Sequence, residues 1–335
     1  MNTIGHIFKL TTFGESHGAA VGGVIDGCPS QLKLDFGFIE NELQRRKTAQ
    51  SPTASQRKET DSIEWLSGLL DGVTLGTPIA FMVRNEDGKP EDYEALKDVY
   101  RPSHADFTYE QKYGLRDWRG GGRASARTTL PIVVAGAIAK QVLKEKDIQV
   151  LAQVTAMGYA EQARKEGDTV GGVVECRITG VPAGWGEPMF DKFSAALAHA
   201  MFSLPAVKGF EMGDGFALAK MKGSEANDTF INKDGKITTL TNHSGGIQGG
   251  ISNGNDIVFR VAFKPIPSIA KPQQTVNRAG EACEIAIEGR HDACALPRAM
   301  VLVEAFAALV TVDMGMMQAG RLFDPSTSSG LRNLS

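Results

Sequence analysis

Apolar and polar residues follow two different periods along the chain, and each period predicts one kind of element. Short runs rich in β-branched residues predict strands at residues 4–12, 21–25, 63–70, 79–83, 148–154, 172–178 and 257–263. Apolar residues at helical spacing predict helices at 36–46, 131–143, 190–202 and 299–312, with Asp35 as the N-cap of the first and Pro131 in the first turn of the second. The last three helices are apolar on most sides and need cover on more than one face. The pattern therefore favours helices layered between sheets over a helical bundle.

A repeated tetrapeptide indicates how the chain is organised. VGGV occurs at residues 21–24 and again at 170–173, and each copy is followed by a Gly-x-Pro tripeptide. Such an echo indicates an internal duplication, which would produce two similar lobes. We therefore predict a single domain over residues 1–335, built from lobes at about 1–150 and 151–335.

Composition and charge favour a globular protein over a nucleic-acid-binding or membrane protein. Apolar residues make up 42% of the chain and the formal net charge is -3, so we expect a globular protein that does not bind nucleic acid. No run approaches the ~20 consecutive apolar residues of a membrane span, and the N-terminal residues have no signal-peptide core. We therefore expect no membrane association and a cytoplasmic location. The 4 cysteines form no CxxC pair, so we expect no metal site.

The densest concentration of polar chemistry lies at residues 101–127, where five arginines, His104 and a triple glycine share one stretch. Planar guanidinium groups match phosphate and carboxylate oxygens, and glycine lets backbone amides approach an anion without a Cβ in the way. The groups are Arg101, Arg116, Arg119, Arg123, Arg127, Gly120, Gly121 and Gly122. The stretch predicts a pocket for a small polyanion rather than a solvated basic loop.

Four other loops combine glycine or proline with ionisable side chains. The sequence GESHG at residues 14–18 joins two strand patterns, and the others lie at 242–254, 263–268 and 289–299. Because histidine titrates near neutral pH, His17 and His104 are candidate acid or base groups beside a bound anion. His6, within a strand pattern, and His199, within a helix pattern, are interpreted as structural.

The residues alone leave more than one kind of chemistry open. GESHG fits the GxSxG nucleophile elbow, but an elbow turns from a strand into a helix, and here a second strand pattern follows. The chain has neither a GxxxxGK[ST] loop nor a GxGxxG after a strand, so the usual nucleotide folds are unsupported. A phosphate-releasing hydrolase that uses His17 or His104 is one alternative at this point.

Five motifs, spread over nearly the whole chain, closely resemble those of the chorismate synthase family. They are TTFGESHG, RPSHADFTYEQKYGLRDWRGGGRASAR, GGIQGGISNG, FKPIPS and GRHDAC. The resemblance implies an α+β fold, in which a helical layer separates two antiparallel sheets with pseudo-twofold internal duplication, and a homotetrameric assembly. It also implies a carbon–oxygen lyase of the shikimate pathway, which serves aromatic amino acid biosynthesis.

By this resemblance the reaction is the trans-1,4-elimination of phosphate from 5-enolpyruvylshikimate 3-phosphate to give chorismate, with reduced FMN as cofactor. Reduced FMN lends an electron as phosphate leaves and recovers it when the ring hydrogen is lost, so no net redox change occurs. His17 would protonate the departing phosphate, and His104 would give a proton to the anionic reduced flavin. Asp292 together with Ser16 would help to remove the proton from the central nitrogen of the flavin.

The family motifs also assign binding residues. Flavin contacts match Arg123, Ala124, Ser125, Pro205, Ala206, Gly249, Lys264, Pro265, Ile266, Pro267, Ser268 and Arg290. Arg46, Arg101 and Arg127 fall where the family contacts substrate, and Arg46 also matches a position that contacts a nicotinamide nucleotide in relatives. The resemblance leaves open whether NADPH or an external flavin reductase supplies the electrons for the flavin.

Four positions depart from the family pattern. Pro52 stands where a basic residue is common, Ile132 replaces a common arginine, Pro205 replaces asparagine, and Pro267 replaces a small hydroxyl residue. Because proline has no N–H to donate, flavin contacts could be weakened. A catalytically weakened homologue that binds flavin or a phosphometabolite is therefore a second alternative. Since the histidines and the main arginines are retained, we expect an active enzyme.

Overall fold

The computed structural model describes residues 1–47, 61–85, 90–287 and 293–321. Within these ranges the helices are α1 (Phe36–Lys47), α2 (Asp106–Tyr113), α3 (Leu130–Lys144), α4 (Ala160–Lys165), α5 (Phe193–Phe202), α6 (Gly223–Ala226) and α7 (Leu296–Ala319). The strands are β1 (Thr3–Ile4), β2 (Lys9–Phe13), β3 (Ala20–Asp26), β4 (Glu64–Trp65), β5 (Leu69–Leu70), β6 (Val73–Thr74), β7 (Ile79–Arg84), β8 (Gln149–Met157), β9 (Gly172–Thr179), β10 (Val207–Met212), β11 (Phe230–Lys233), β12 (Lys236–Thr239), β13 (Ile247–Gln248), β14 (Ile251–Ser252), β15 (Ile257–Phe263), β16 (Gln273–Val276) and β17 (Ala282–Ile285). Short 3₁₀ helices lie at Pro90–Leu96, Gly122–Ala124, Ala126–Thr129 and Gly215–Lys220.

The longer strands form two antiparallel sheets. The first has the order β1-β2-β3-β7-β4, and the second has the order β10-β15-β9-β8. In the first sheet Gly23 pairs with Phe81, and in the second Cys176 pairs with Phe259. The mixture of antiparallel sheets and helices confirms the α+β prediction. Each sheet is drawn from one half of the chain, whereas the similarity of the two proposed lobes stays a prediction.

Helices fill the space between the two sheets. Helix α3 packs on β2 and β3 of the first sheet and on β8 of the second, while α7 packs on β8 and β9 and against α3. The two helices approach so closely that a Cβ at Gly136 would lie 2.3 Å from the Cβ of Ala305. Every residue of α7 from Val301 to Met314 is buried. Helices α3 and α7 are therefore covered on more than one face, as the pattern predicted, whereas α5 buries one face and exposes Ala195, His199 and Phe202.

The last helix is the centre of this layer. By length and composition Leu296–Ala319 could cross a membrane, the one such helix in the part of the chain that the structure describes, yet 78% of its apolar window is buried inside the protein. Its apolar surface is used by the strands and helices packed around it. The helix therefore serves as the core of the sandwich.

A buried ionic cluster joins the three central helices. Glu304 of α7 accepts hydrogen bonds from Arg45 of α1 at 2.6 and 2.8 Å and from Lys140 of α3 at 2.5 Å. It also accepts the backbone N–H of Ala152 on β8 at 3.0 Å, and Glu42 contacts the same arginine and lysine. Burial raises the pKa of Glu304, but the hydrogen bond from Arg45 and the charge of Lys140 outweigh that effect and hold the pKa below its usual range.

The prediction of one strand over residues 4–12 was wrong. The segment forms the hairpin of β1 and β2, in which Thr3 pairs with Thr11. Gly5 has a φ of 96°, which glycine adopts readily, and the carboxylate of Asp313 accepts three backbone N–H groups of the turn at 2.7 to 3.0 Å. The side chain of Asp313, near the other end of the sequence, thus accepts the backbone N–H groups of the turn and stabilises the separation of β1 from β2.

The prediction of one strand over residues 63–70 was also wrong, because this segment divides into β4 and β5. Strand β4 joins the first sheet beside β7, whereas β5 pairs with β6 outside it. Gly68 separates them with a φ of 83°, and a Cβ at that position would lie 2.7 Å from the Cα of Ile79. The turn at Gly68 therefore requires glycine and ends the strand.

Helix predictions agreed better with the structure. Oδ1 of Asp35 accepts the N–H of Phe38 at 2.9 Å, so the predicted N-cap is present, and Pro131 lies in the first turn of α3. Helix α5 begins at Phe193 instead of residue 190, because Phe190 has a φ of 37° and an exposed side chain. Helix α7 extends beyond its predicted range at both ends.

Candidate active site

Two of the predicted acid or base groups meet at the turn formed by Gly120, Gly121 and Gly122. A Cβ at Gly120 would lie 2.0 Å from Cε1 of His17, and a Cβ at Gly121 would lie 3.1 Å from Cε1 of His104. The φ angles of Gly120 and Gly121 are 59° and 94°, a region that favours glycine. The triple glycine thus allows loops that are distant in sequence to bring two imidazole rings to one turn.

The loop of residues 14–19 carries His17 between β2 and β3, as predicted. The N–H of Ser16 donates to the carbonyl of Gly122 at 3.4 Å, and its Oγ lies 3.1 Å from Nδ1 of His17. Ser16 is buried, and the His17 ring packs edge-on against Tyr93 with ring centroids 5.1 Å apart. These contacts hold the imidazole against the glycine turn.

Asn85, which directly follows β7, connects this loop to Arg127. Its Nδ2 donates to the carbonyls of Glu15 at 3.0 Å and Gly18 at 2.8 Å. Its Oδ1 accepts a hydrogen bond from Nε of Arg127 at 3.0 Å. One side chain therefore fixes the histidine loop relative to a predicted substrate-binding arginine.

Arg46 and Arg127 share the buried carboxylate of Asp61. Nη2 of Arg46 lies 3.2 Å from Oδ2, Nζ of Lys47 lies 3.4 Å from the same oxygen, and Nη1 of Arg127 contacts Oδ1. Burial raises the pKa of Asp61, but the charges of Arg46 and Arg127 outweigh it, so that the pKa is lowered. Burial lowers the pKa of Arg46 by more than Asp61 raises it. Three cationic groups therefore converge on one buried carboxylate.

A second carboxylate, Asp106 at the start of α2, holds the residues around His104. It accepts Nε and Nη2 of Arg101 at 2.7 and 2.8 Å, and Nη1 of Arg116 lies 2.7 Å from Oδ1. Nδ1 of His104 lies 3.0 Å from the same oxygen, a close contact that is not aligned as a regular hydrogen bond. Burial raises the pKa of Asp106, but the contacts from Arg101 and His104 lower it far below its usual range.

The predicted flavin segments at 205–206 and 264–268 lie beside the His104 loop. Nζ of Lys264 donates to the carbonyl of Ser103 at 2.8 Å, and its backbone N–H donates to the carbonyl of Ala206 at 2.9 Å. Burial, with a smaller effect of Lys208, lowers the pKa of Lys264. Pro265, Ile266, Pro267 and Ser268 continue this segment after β15, and Pro205 precedes Ala206 after α5.

Arg123, Ala124 and Ser125 continue the glycine turn into two short 3₁₀ helices. Arg123 donates to the carbonyl of Gly14 at 3.1 Å and to Oγ1 of Thr12 at 2.7 Å. The N–H of Ala124 donates to the carbonyl of Gly121 at 3.0 Å, and Oγ of Ser125 accepts the N–H of Arg127 at 3.3 Å. This segment therefore joins the glycine turn to β2 and to the arginine on Asp61.

An open cavity of about 1180 Å³ lies beside the glycine turn. Its walls include Phe13, Tyr109, Tyr113, Trp118, Arg119, Gly121, Gly122 and Arg123. The volume exceeds the ~300–1,000 Å³ of a typical pocket for one small ligand. Aromatic faces and guanidinium groups together can bind a flat ring system that carries an anionic group. Over the described ranges, no group of three or more His, Cys, Asp or Glu side chains could hold a metal ion.

Some predicted residues do not join this arrangement. Gly249 lies in the exposed turn between β13 and β14, and its neighbour Gly250 accepts the N–H of Phe193 at the start of α5. Pro205 and Ala206 follow the other end of α5, which has 10 residues and spans about 15 Å. Gly249 and the Pro205–Ala206 pair therefore lie near opposite ends of α5. Pro52, Arg290 and Asp292 lie outside the described residues.

The sequence analysis assigned no role to three residues that make these contacts. Asp106 had a usable signal, because a carboxylate two residues after His104 in a basic stretch is a natural counter-ion. Asp61 and Asn85 had none, since Asp61 contacts Arg127, 66 positions away, and Asn85 contacts residues 42 to 70 positions away. Their positions depend on the antiparallel pairing of the first sheet.

Comparison with known proteins gives one consistent family. The family model described as chorismate synthase matches residues 8–162 and 156–316. The chorismate synthase of Opitutus terrae is 51% identical, with 96% of this chain and 98% of that protein covered. That of Methylacidiphilum infernorum is 49% identical, with 98% and 100% covered.

A solved structure supports the same assignment. The "Crystal Structure of Chorismate Synthase" aligns with a TM-score of 0.74 and 28% identity over 98% of each chain. Sequence and three-dimensional similarity both extend over nearly the full length. This chain belongs to the chorismate synthase family.

Proposed function

We propose that this protein forms chorismate by trans-1,4-elimination of phosphate from 5-enolpyruvylshikimate 3-phosphate, with reduced FMN as cofactor. The observation that carries the proposal is the meeting of His17 and His104 at the glycine turn of residues 120–122, next to a cavity lined by arginines and aromatic rings. The substrate carries two carboxylates and a phosphate, and FMN carries another phosphate. The cationic groups around Asp61 and the guanidinium groups of the cavity suit such ligands.

The residues of the cavity fit a flavin. Phe13, Tyr109 and Trp118 offer aromatic faces for a flat ring system, and Arg123 brings a guanidinium group for its phosphate. Arg119 lies on the same wall, with Nε and Nη2 donating to Asp117. Reduced FMN, when bound, supplies an electron as phosphate leaves and recovers it when the ring hydrogen is lost. Lys264, whose ammonium reaches the His104 loop, adds a further cation on that side. Arg290 and Gly249 stay predictions for the same cofactor.

The protein's own side chains would bind the anions and move the protons. His17 would protonate the phosphate oxygen as the C–O bond breaks, with Ser16 within hydrogen-bond distance of its Nδ1. His104 would deliver a proton from Nε2, the ring edge near Gly121. Arg46, Arg101 and Arg127 would neutralise substrate charge, and Asp292 together with Ser16 would accept the last proton.

A weakened, flavin-binding homologue is the second candidate function, and the proline replacements favour it. Pro205 and Pro267 have no N–H to offer, and Ala206 adopts a φ of 69°, which is unusual for a residue with a Cβ. Ile132 is buried in α3 and offers no charge where an arginine is common in the family. The retained histidines and arginines still favour an active lyase.

An anaerobic assay separates the candidate functions. Purified protein is mixed with reduced FMN and 5-enolpyruvylshikimate 3-phosphate, and chorismate absorbance and free phosphate are followed together. We expect both products in equal amounts, and only with reduced flavin. Flavin binding without product would favour the weakened homologue, and phosphate release without flavin would favour a hydrolase. Repeating the assay with oxidised FMN and NADPH tests whether the protein reduces its own flavin or needs an external flavin reductase.

We also propose a homotetramer that works in the cytoplasm. The hairpin of β11 and β12 supports assembly, because Phe230 and Ile237 lie diagonally on the same face and their exposed fractions are 63% and 77%. Light scattering coupled to gel filtration should give four chain masses. If Phe230→Ser and Ile237→Ser together leave the mass unchanged, this hairpin is not the assembly surface.

A further inference from the structure

The environment of His104 contains one carboxylate that the proposed chemistry does not use. Asp106 has a side chain only 2% exposed, and its Oδ1 lies 3.0 Å from Nδ1 of His104. Oδ1 also receives Nη1 of Arg116, while Arg101 donates two side-chain hydrogen bonds and its backbone N–H to the carboxylate. The carboxylate is thus surrounded by three groups that can carry positive charge.

The position of Nδ1 determines where the imidazole carries its protons. Nδ1 is buried and lies 3.0 Å from a carboxylate oxygen, although the two atoms are not aligned as a regular hydrogen bond. The negative charge of that oxygen favours a hydrogen over a lone pair on Nδ1. On the other edge of the ring, Nε2 would lie 3.2 Å from a Cβ at Gly121, a residue of the cavity wall. The Nε2 edge of the ring therefore faces the glycine turn.

We propose that Asp106 is the positioning residue of His104: its carboxylate fixes Nδ1 and holds the Nε2 edge of the ring at the glycine turn. This inference rests on the proposed function for its catalytic meaning, but the reactivity of the ring can be measured without activity. Arg101 and Arg116 hold the carboxylate in place from the preceding loop and from the segment after α2.

Other charged groups also lie around the His104 loop and its neighbour Arg116. Nε of Arg116 lies 3.5 Å from Glu110 of α2, and Glu110 also contacts Arg278 from the segment after β16. Lys264 reaches the loop from the end of β15 through the carbonyl of Ser103. Only Asp106 places an anionic oxygen within contact distance of the His104 ring among the ion pairs of the described residues.

The test measures the reactivity of the His104 ring by its rate of carbethoxylation with diethylpyrocarbonate, followed by peptide mass spectrometry at pH 7 on ligand-free protein. Diethylpyrocarbonate reacts with an unprotonated imidazole nitrogen. In Asp106→Asn we expect His104 to react about tenfold faster, because the ring loses its contact with a charged group. His6 and His199 in the same sample should keep their rates. Asp106→Glu, which keeps the charge, should restore most of the protection.

Controls separate positioning from general destabilisation. Asp256→Asn removes another paired carboxylate, which contacts Arg177 of the second sheet at 2.9 Å, and should leave the His104 rate unchanged. If Asp106→Asn does not fold, Arg116→Gln provides the opposite test, because removing this cation from Oδ1 should slow the reaction of His104. An unchanged His104 rate in whichever of these two variants folds would overturn the proposal.

Kinetics supply the link to catalysis. For Asp106→Asn we expect kcat for chorismate formation to fall by about tenfold to a hundredfold, with KM for substrate changed less than about threefold. A large increase in KM with kcat unchanged would show that Asp106 serves substrate binding and would contradict the positioning role. If the wild type forms no chorismate while the His104 rates change as expected, the proposed function fails and the positioning of His104 by Asp106 stands.

Discussion

At the scale of single residues, the site depends on close approaches that only particular side chains permit. His17 lies where a Cβ on Gly120 would occupy its ring, and Asn85 holds the loop of His17 from the other side. Such residues contribute little to the hydrophobic core, so their replacement should affect activity more than stability. Substituting residues of the same type inside and outside the site, and comparing activity with stability, tests this expectation.

Gly120→Ala should abolish activity, because its Cβ would lie 2.0 Å from Cε1 of His17 and the ring would have to move. A displacement of about 1 Å can cost roughly a hundredfold in rate, so we expect at least that loss in kcat for chorismate formation. Gly114→Ala is the matched control, since Gly114 has a φ of 72° with nothing within 4 Å of an added Cβ. Both variants should lose about 1–2 kcal/mol of stability from the left-handed backbone. Equal activities in the two variants would contradict the role of the glycine turn.

Asn85→Ala removes three hydrogen bonds that fix the His17 loop and Arg127. We expect kcat/KM to fall by about tenfold or more, which is the usual cost of one or two such bonds, about 1.5 kcal/mol. Asn277→Ala is the control, because the side chain of Asn277 also makes three hydrogen bonds, two accepted from backbone N–H groups and one donated to Glu281, in the surface turn before β17. Steady-state kinetics give kcat/KM for both variants. A loss of similar size in Asn277→Ala would show that the loss in Asn85→Ala does not come from the His17 loop or Arg127.

At the scale of elements, the three central helices are held by charge as well as by apolar packing. Arg45, Lys140, Glu42 and Glu304 bring side chains from α1, α3 and α7 to one point, and Glu304 also ties the layer to β8. Helix α1 continues from Arg45 to Arg46, so the cluster also fixes where Arg46 meets Asp61. The stability of the layer and the geometry of the site are therefore linked through one helix.

Glu304→Gln should destabilise the protein strongly, because Arg45 and Lys140 lose their shared buried counter-charge. Breaking a buried ion pair by removing one partner costs about 3–5 kcal/mol, and we expect the lower end because Arg45 is partly exposed. Chemical denaturation gives the free energy of unfolding. Glu40→Gln, on the exposed side of α1, should change it by less than about 0.5 kcal/mol. Equal losses in both variants would show that the cluster contributes no special stability.

At the scale of the whole molecule, ionised carboxylates with polar partners occur both in the helical layer between the sheets and in the segments outside it. The pKa values of Asp61, Asp106 and Glu304 are all lowered, and cations contact each of the three. Hydrogen bonds from Thr241 and from the Ser244 and His243 backbone overcome burial and lower the pKa of Asp228 to about 2. Groups of this kind stabilise the fold only while they are ionised.

The pH dependence of stability follows from the sign of these shifts. A carboxyl group with a lowered pKa in the folded state contributes fully above its unfolded pKa of ~4 and loses that contribution as the pH falls through its folded pKa. We expect a nearly constant free energy of unfolding from pH 7 to 5 and a steady fall below about pH 4. The Asp228 contribution should decline as the pH falls from ~4 and be almost completely lost near its folded pKa of about 2.

Glu304→Gln provides the comparison, because the difference in stability between wild type and variant should shrink as the pH falls below ~4. Thermal melting of both proteins between pH 7 and 3 measures this difference. A difference that stays constant or grows toward pH 3 would show that Glu304 is not held ionised by Arg45 and Lys140.

The sequence alone determined the elements whose causes are local. Apolar periodicity located the central helices, Asp35 and Pro131 marked helix starts, and the strand at 257–263 was predicted with the bounds that the structure shows. The spacing of arginine, histidine and glycine at 101–127 predicted an anion site, since guanidinium chemistry and glycine backbone freedom are properties of the residues themselves. Motif resemblance then gave the family.

Only the tertiary structure decided which of these residues meet. Asp313 breaks the first strand from about 305 positions away, and Asp61, Asn85 and Asp106 hold the predicted site residues. These outcomes depend on strand register and on helix packing, which bring together side chains that have no relation along the chain. Periodicity in a sequence describes which face of an element is buried, whereas the partner across that face is chosen by the whole fold.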